Sequence, residues 1–111
     1  MESNCIGNFK NLCSSYHFPI TVINTLHDII LNFGIKRMIL FGSRAQGDNR
    51  DKSDFDIAIE FRNNENNKFF KVKDHVDNNN TLYYISLVDL NNCPIKLEYI
   101  IKKTGIIIYE Y

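Results

Sequence analysis

The sequence predicts an α/β fold: a small mixed sheet of about four strands, with helices packed mainly on one face. One observation is that segments with helical spacing of apolar residues alternate along the chain with short apolar or alternating runs typical of strands. That order is typical of an α/β domain. A second observation is the length of 111 residues, which suffices for one core. We therefore predict a single domain over residues 1–111.

The first third of the chain divides into a segment without a clear period and a predicted helix. Residues 1–18 show no clear period and are expected to form a short helix or a loose N-terminal arm. From Pro19 to Phe33 apolar side chains recur at helical spacing, which predicts an amphipathic helix. Gly34 follows directly, and glycine is the common residue just after a helix.

The rest of the chain alternates between predicted strands and helices. Arg37–Phe41 is a continuous apolar run, as expected of a strand covered on both faces. In "DFDIAIEF" (54–61) apolar side chains occupy every second position, which predicts a strand with two unlike faces. The remaining predicted segments are a short helix marked by Phe69, Val72 and Val76, a strand over 82–90, a helix from Pro94 to about Lys103 and a last strand, "IIIYEY".

Charge and hydropathy narrow the range of partners. The 13 basic residues balance 13 acidic residues, so no net field attracts nucleic acid or an anionic membrane. No apolar stretch approaches the ~20 residues of a membrane span, and the N-terminus lacks the apolar segment of a signal peptide. We expect a cytoplasmic protein whose partners are neither membranes nor nucleic acids.

The stretch "LFGSRAQGDNRDKSDFDIAIE" (40–60) carries the candidate chemistry. Asp54 and Asp56 are two positions apart on a predicted strand, so their side chains point to the same face and repel each other. A divalent cation would compensate that repulsion, and an oxygen-rich site favours magnesium. Upstream, Gly42 and Ser43 form a turn in which glycine lets the backbone approach an anion such as a phosphate.

The combination resembles a known family signature. "GSRAQG" followed by "SDFDIAIE" is similar to the Gly-Ser-x10-Asp-x-Asp motif of the polymerase-β-like nucleotidyltransferases, and the size is similar to the minimal, MntA-like members. The resemblance implies that Gly42 and Ser43 hold the terminal phosphates of ATP or another nucleoside triphosphate. It implies Asp54 and Asp56 as catalytic residues that bind Mg²⁺. Arg44 is assigned to the nucleotide site as a helper near the phosphates, with plain helix surface as the alternative.

The resemblance also implies a third carboxylate, on the third strand. Aligned by the pattern apolar-Asp-apolar-Val-x-Leu, "ISLVDL" (85–90) places Ser86 at the position of that acid. Asp89 is the nearest carboxylate and is the candidate third catalytic residue. In a regular strand residues 86 and 89 point to opposite faces, so Asp89 could serve only if a bulge or the strand end re-aims it. The alternative is an aspartate that caps the turn before Pro94.

These residues suggest two functions. The first is a magnesium-dependent nucleotidyltransferase that moves an AMP group to a hydroxyl of a partner protein. Family resemblance suggests a HEPN-type toxin as that partner, with this chain as its antitoxin. The second, favoured by Ser86, is an antitoxin that binds nucleotide and neutralises its partner by binding. We expect the partner on the open face of the sheet, beside Tyr109 and Tyr111.

Overall fold

The computed structural model describes residues 2–50, 53–63, 68–79 and 82–111, with only the backbone described for residues 2–6. Helices and strands alternate along this part of the chain, as the sequence predicts. The helices are α1 (Glu2–Ser15), α2 (Ile20–Asn32), α3 (Ser43–Gln46), α4 (Lys68–Asp77) and α5 (Ile95–Thr104). The strands are β1 (Ile35–Phe41), β2 (Phe55–Phe61), β3 (Ile85–Asp89) and β4 (Ile106–Glu110).

The four strands form one mixed sheet in the order β3-β2-β1-β4. Strand β1 pairs antiparallel with both β2 and β4, while β2 and β3 run parallel. The pair is parallel because α4 lies between the two strands in sequence and brings the chain back to the end of the sheet where β2 began, so that β3 runs in the same direction. The predicted mixed α/β sheet is confirmed.

The main core lies on one face of the sheet, under α1, α2 and α4. The alternating apolar residues of β2 supply the sheet side of this core, and the stripe of α2 supplies the helix side. Its fully buried members include Phe9, Val22, Leu26, Ile29, Met38, Leu40, Phe55, Ile57, Ile59 and Val72. Burial of this many large apolar side chains is the chief stabilising contribution to the fold.

The other face carries a smaller cluster under α5. Ile39 and Ala58 of the sheet pack there with Leu90 and Ile101. The helices therefore lie mainly on one face, as predicted, with α5 covering part of the second. None of the helices in the described ranges is long and apolar enough to cross a membrane.

The two ends of the chain meet in the main core. Of the two alternatives for residues 1–18, the structure has the helix: α1 buries Phe9 and Cys13 completely. The Phe9 ring meets the edge of the Tyr109 ring at a centroid distance of 6.4 Å. Placing Tyr109 beside the partner face was wrong, because this side chain is only 7% exposed and packs under the helices. Tyr111 is exposed and lies against Arg62.

Candidate active site

Strand pairing brings the separated motif residues together at one end of the sheet. Strand β1 ends at Phe41, whose Cα partner on β2 is Asp56. Gly42 and the short helix α3 follow directly after β1. On the other side of β2, the Cα partner of Asp56 is Ser86. The Gly-Ser turn, the second aspartate and the serine of β3 thus lie on three neighbouring strands.

Gly42 has a conformation and an environment that exclude a side chain. Its backbone angles are φ 76° and ψ −156°, a combination that is essentially restricted to glycine. A Cβ built on Gly42 would lie 3.0 Å from Cγ of Asp56 and closer still to Oδ2. The carboxylate of Asp56 therefore rests against the α-carbon of Gly42, in space that a side chain would fill.

Hydrogen bonds hold the turn that follows Gly42. The amides of Ala45 and Gln46 donate to the carbonyl oxygen of Gly42 at 3.1 and 3.2 Å. The amide of Asp48 donates to the carbonyl oxygen of Ser43 at 2.9 Å, and Gly47 ends the turn in the left-handed conformation. Half-buried Ser43 sits at the first position of α3. A fixed turn with a bare α-carbon gives an anion such as a phosphate a close approach to the backbone.

Asp54 and Asp56 lie close enough to interact electrostatically. The pKa of Asp56 is raised above its ordinary value, first because partial burial removes water from the carboxylate and second because the charge of Asp54 repels it. Asp54 itself is exposed and precedes the first residue of β2. A cation bound between the two carboxylates would relieve both effects.

The pair fits magnesium in donor chemistry and in number. Protein-bound Mg²⁺ is commonly held by one or two carboxylates, with substrate phosphates and water completing its shell. Within the described ranges, no group of three or more His, Cys, Asp or Glu side chains is arranged to hold a metal ion. Asp54 and Asp56 would therefore share the ion with the phosphates of a bound nucleotide, and the magnesium site would be completed by substrate.

Arg44 has different contacts from those expected of a phosphate helper. Its side chain is only 8% exposed. Nε and Nη2 donate to the carbonyl oxygen of Ser53 at 3.1 and 2.9 Å, and the guanidinium carbon stands 3.8 Å from the centroid of the Phe55 ring. The ring of Tyr83 lies 5.7 Å away. The structure turns this arginine toward the segment that carries Asp54, and its burial excludes the plain-surface alternative.

The structure does not bring Asp89 to the aspartate pair. Its Cα partner on β2 is Ile59, three positions beyond Asp56, so it lies roughly 10 Å along the sheet from Ser86. Asp89 Oδ1 accepts a hydrogen bond from the amide of Asn91 at 3.0 Å, which closes the turn after β3. Pairing is regular from Phe55 to Ile59, with no bulge to re-aim the side chain. The turn-capping alternative describes Asp89, and the half-buried side chain next to Asp56 on β3 is Ser86.

Two features of the site were not anticipated from sequence. The contact between Gly42 and Asp56 joins the turn to the carboxylate pair, and the stacking of Arg44 on Phe55 joins α3 to the start of β2. The alternating pattern marked Phe55 as a core residue but gave no indication of the cation above its ring. Both contacts depend on strand register, which local patterns do not specify.

A sheet that joins a Gly-Ser turn on one strand to an Asp-x-Asp pair on the next is the arrangement of nucleotidyltransferases. Residues 24–111 match the family model described as Polymerase beta, Nucleotidyltransferase, and the chain belongs to this family. Over 48 residues it is 38% identical to MJ1215 of Methanocaldococcus jannaschii, whose name assigns it provisionally to the protein adenylyltransferases. The match covers 42% of this chain and 56% of the relative, so this chain spans little more than half of the length of MJ1215.

Solved structures with the same fold include two toxin–antitoxin complexes. One, determined with AMP-PNP, superposes with a TM-score of 0.59 at 24% identity, over 82% of this chain and 72% of the other. The second is a mutant of the pair MntA–HpeT with two aspartates replaced by glutamate. It gives a TM-score of 0.57 at 22% identity, over 81% of this chain and 71% of the other. At these identities the likeness establishes the fold.

Proposed function

We propose that this chain is a magnesium-dependent nucleotidyltransferase that moves AMP from ATP to a hydroxyl group of a partner protein. Family membership supports nucleotidyl transfer. The name of the archaeal relative supports adenylyl transfer to protein, and the toxin–antitoxin complexes that share the fold support a toxin as the partner. A HEPN-type toxin, modified on a tyrosine and thereby silenced, is the partner we propose from the family resemblance.

The observation that carries the proposal is the contact between the Gly-Ser turn and the aspartate pair. The carboxylate of Asp56 lies against the bare α-carbon of Gly42, and the charge of Asp54 acts on Asp56. A triphosphate at the turn would therefore lie beside both carboxylates. Binding of a nucleotide with its divalent cation needs both a turn for the phosphates and carboxylates for the cation. A purely structural role would not require two carboxylates that repel each other.

Each residue then has a defined role in the transfer. Gly42 lets the turn adopt its conformation beside the carboxylate of Asp56, and Gly42 and Ser43 hold the phosphates through the backbone of that turn and the Ser43 hydroxyl. Asp54 and Asp56 would hold Mg²⁺, which when bound supplies positive charge to the phosphate oxygens. In the reaction the acceptor oxygen forms a bond to the α-phosphorus, the bond from that phosphorus to the bridging oxygen breaks so that pyrophosphate leaves, and the acceptor hydroxyl gives its proton to solvent water. Holding the nucleotide in one orientation is the main contribution of the protein.

A second candidate function is an antitoxin that acts by binding alone. Ser86 is the observation that favours it, because a hydroxyl lies opposite Asp56 where the family resemblance implies a third acid. A serine neither carries negative charge nor takes up a proton from the acceptor at neutral pH. Such a chain would retain the nucleotide site while transferring slowly or not at all.

Transfer to a co-expressed partner separates the two candidates. The partner to test is any small helical protein with an Arg-x4-His motif that the neighbouring reading frame encodes. Incubation with Mg²⁺ and ATP labelled at the α-phosphate is expected to label one tyrosine of that partner, and intact mass should rise by one AMP group. The Asp54→Asn variant should form the same complex without labelling it. A stable complex that wild type never labels would contradict transfer and favour binding alone.

A further inference from the structure

Asp54 and Asp56 are held in the fold in different ways. Asp56 lies within β2, paired with Phe41 on one side and with Ser86 on the other. Asp54 precedes the first residue of that strand and is exposed. Its position therefore depends on its two chain neighbours, Ser53 and Phe55. Asp56 is held by the strand itself, whereas Asp54, just before the strand, needs a further contact to hold its carboxylate in place for a metal ion.

Arg44 contacts both neighbours of Asp54. Two of its guanidinium nitrogens donate to the carbonyl oxygen of Ser53, which belongs to the peptide bond that leads into Asp54. The same guanidinium stacks on the ring of Phe55 at 3.8 Å, with Tyr83 as a second ring nearby. Arg44 follows Ser43 on α3, so these contacts also tie the segment before β2 to the Gly-Ser turn.

We propose that Arg44 is a positioning residue that fixes Asp54 relative to the phosphate-binding turn, and that it does not itself hold the phosphates. This inference rests on the proposed magnesium–nucleotide site. Burial supports it, because a side chain 8% exposed with two donors given to Ser53 presents little to a ligand in solvent. Arginine suits this role because its planar fork donates two bonds while its face stacks on an aromatic ring, which lysine cannot do.

The proposal is tested with Arg44→Lys, which keeps the charge but loses the fork and the stacking plane. The matched control is Arg62→Lys, because the guanidinium of Arg62 stands 4.1 Å from the centroid of the Tyr111 ring, outside the site. Calorimetry measures the affinity for AMP-PNP with Mg²⁺ and with a chelator. Amide hydrogen exchange, measured without nucleotide, reports on Phe55, whose amide closes the peptide bond after Asp54 and donates to the carbonyl oxygen of Tyr84. Arg44→Gln, which keeps a donor for Ser53 but loses the charge and the stacking plane, serves as a second variant if Arg44→Lys unfolds.

In Arg44→Lys the affinity measured with Mg²⁺ should fall by about 10-fold, as for other residues that orient metal ligands, while the metal-free affinity stays unchanged. Exchange at the Phe55 amide should accelerate, whereas Arg62→Lys should alter neither the affinity nor the exchange. Arg44→Gln should accelerate exchange at the same amide. An equal loss of affinity with and without Mg²⁺ would make Arg44 a phosphate ligand and overturn the proposal.

The two measurements also separate this inference from the proposed function. If wild type binds AMP-PNP no better with Mg²⁺ than without it, the proposed magnesium–nucleotide site fails, whatever Arg44 does. Exchange at the Phe55 amide still decides the positioning role in that case, because it is measured without ligand. Unchanged exchange at this amide in Arg44→Lys would overturn that role.

Discussion

The carboxylate of Asp56 packs against the α-carbon of Gly42. A Cβ at position 42 would lie 3.0 Å from Cγ of Asp56, within a backbone conformation that only glycine adopts readily. The contact joins the proposed phosphate turn to the proposed metal ligands, because a side chain at position 42 would displace the carboxylate of Asp56. Gly42 therefore has two roles, as an accommodating turn residue and as a wall of the carboxylate site.

Substituting Gly42 tests that double role. We expect Gly42→Ala to destabilise the protein by about 1–3 kcal/mol from backbone strain, and to weaken binding of AMP-PNP with Mg²⁺ by more than about 10-fold because Asp56 is displaced. Thermal melting and calorimetry measure the two effects. Gly7→Ala is the matched control: Gly7 lies in α1 with open space where the Cβ would go. That control should be neutral or stabilising, by up to about 1 kcal/mol.

Wild-type affinity of Gly42→Ala for AMP-PNP with Mg²⁺ would contradict this interpretation, because the carboxylate of Asp56 would then not need the bare α-carbon of Gly42. The turn and the metal ligands would then be independent of each other.

The raised pKa of Asp56 predicts how stability depends on pH in the metal-free protein. Because the folded-state pKa lies above the unfolded value, the native state binds more protons between the two. Stability should therefore decrease as the pH rises from the unfolded pKa through the folded one, and should not recover above it. Asp56→Asn should remove this decrease, and it should be neutral or mildly stabilising at neutral pH, where the wild-type carboxylate is charged and repelled by Asp54. Chemical denaturation across this pH window, with a chelator present, measures it.

One control variant, Asp54→Asn, completes the pH experiment. Asp54→Asn removes the neighbouring charge, so the pKa of Asp56 followed by carboxyl NMR should fall while remaining above its ordinary value because of burial. A large loss of stability in metal-free Asp56→Asn would instead mean that the aspartate supports the fold.

The elements were predictable from sequence because each has a local cause. The stripe of α2, the alternation of β2 and the glycines at 34 and 105 all act within a few residues, and the predicted bounds differ from the observed ones by a few residues at most. The predicted strand 82–90 is longer than the observed β3, which runs from Ile85 to Asp89. The first hydrogen bond to β2 is accepted by the carbonyl oxygen of Tyr84 from the amide of Phe55. Hydrophobicity alone does not mark where pairing begins.

For the candidate site, the sequence predicts residue types, and the structure adds their contacts. Alternation along a strand predicts that Asp54 and Asp56 lie on the same face; in the structure Asp54 precedes β2, and its charge still acts on Asp56. The contact of Gly42 with Asp56 and the turn of Arg44 toward Ser53 depend on pairing between strands distant in sequence. Tyr109 illustrates the same limit, because an aromatic residue near a chain end is equally compatible with interface and core. The packing of α1 across β4 places it in the core.

The substitution Ser86→Asp tests whether the candidate site lacks a third carboxylate. Its Cα partner is Asp56, so an aspartate at position 86 would add a carboxylate beside the pair. We expect Ser86→Asp to raise transfer of AMP to the partner by about 10- to 1000-fold, since activation of a positioned hydroxyl contributes a few kcal/mol. The affinity for ATP should change little. Transfer is measured with α-labelled ATP, and affinity by calorimetry.

Asp89→Asn is expected to be silent in the same transfer assay. Asparagine keeps the Oδ1 that accepts the hydrogen bond from the amide of Asn91, so the turn after β3 should survive. If Asp89→Asn abolished transfer while Ser86→Asp had no effect, Asp89 would be the third carboxylate of the working enzyme, in conflict with the observed register.

The central claim is that Asp54 and Asp56 hold the cation of a bound nucleotide beside the Gly42-Ser43 turn. Calorimetry of ATP binding with and without Mg²⁺ tests it most directly, in wild type and in the double variant Asp54→Asn, Asp56→Asn. We predict that Mg²⁺ strengthens ATP binding to wild type, and that this gain disappears in the folded double variant. An equal gain from Mg²⁺ in both proteins would contradict the claim and move the metal site elsewhere.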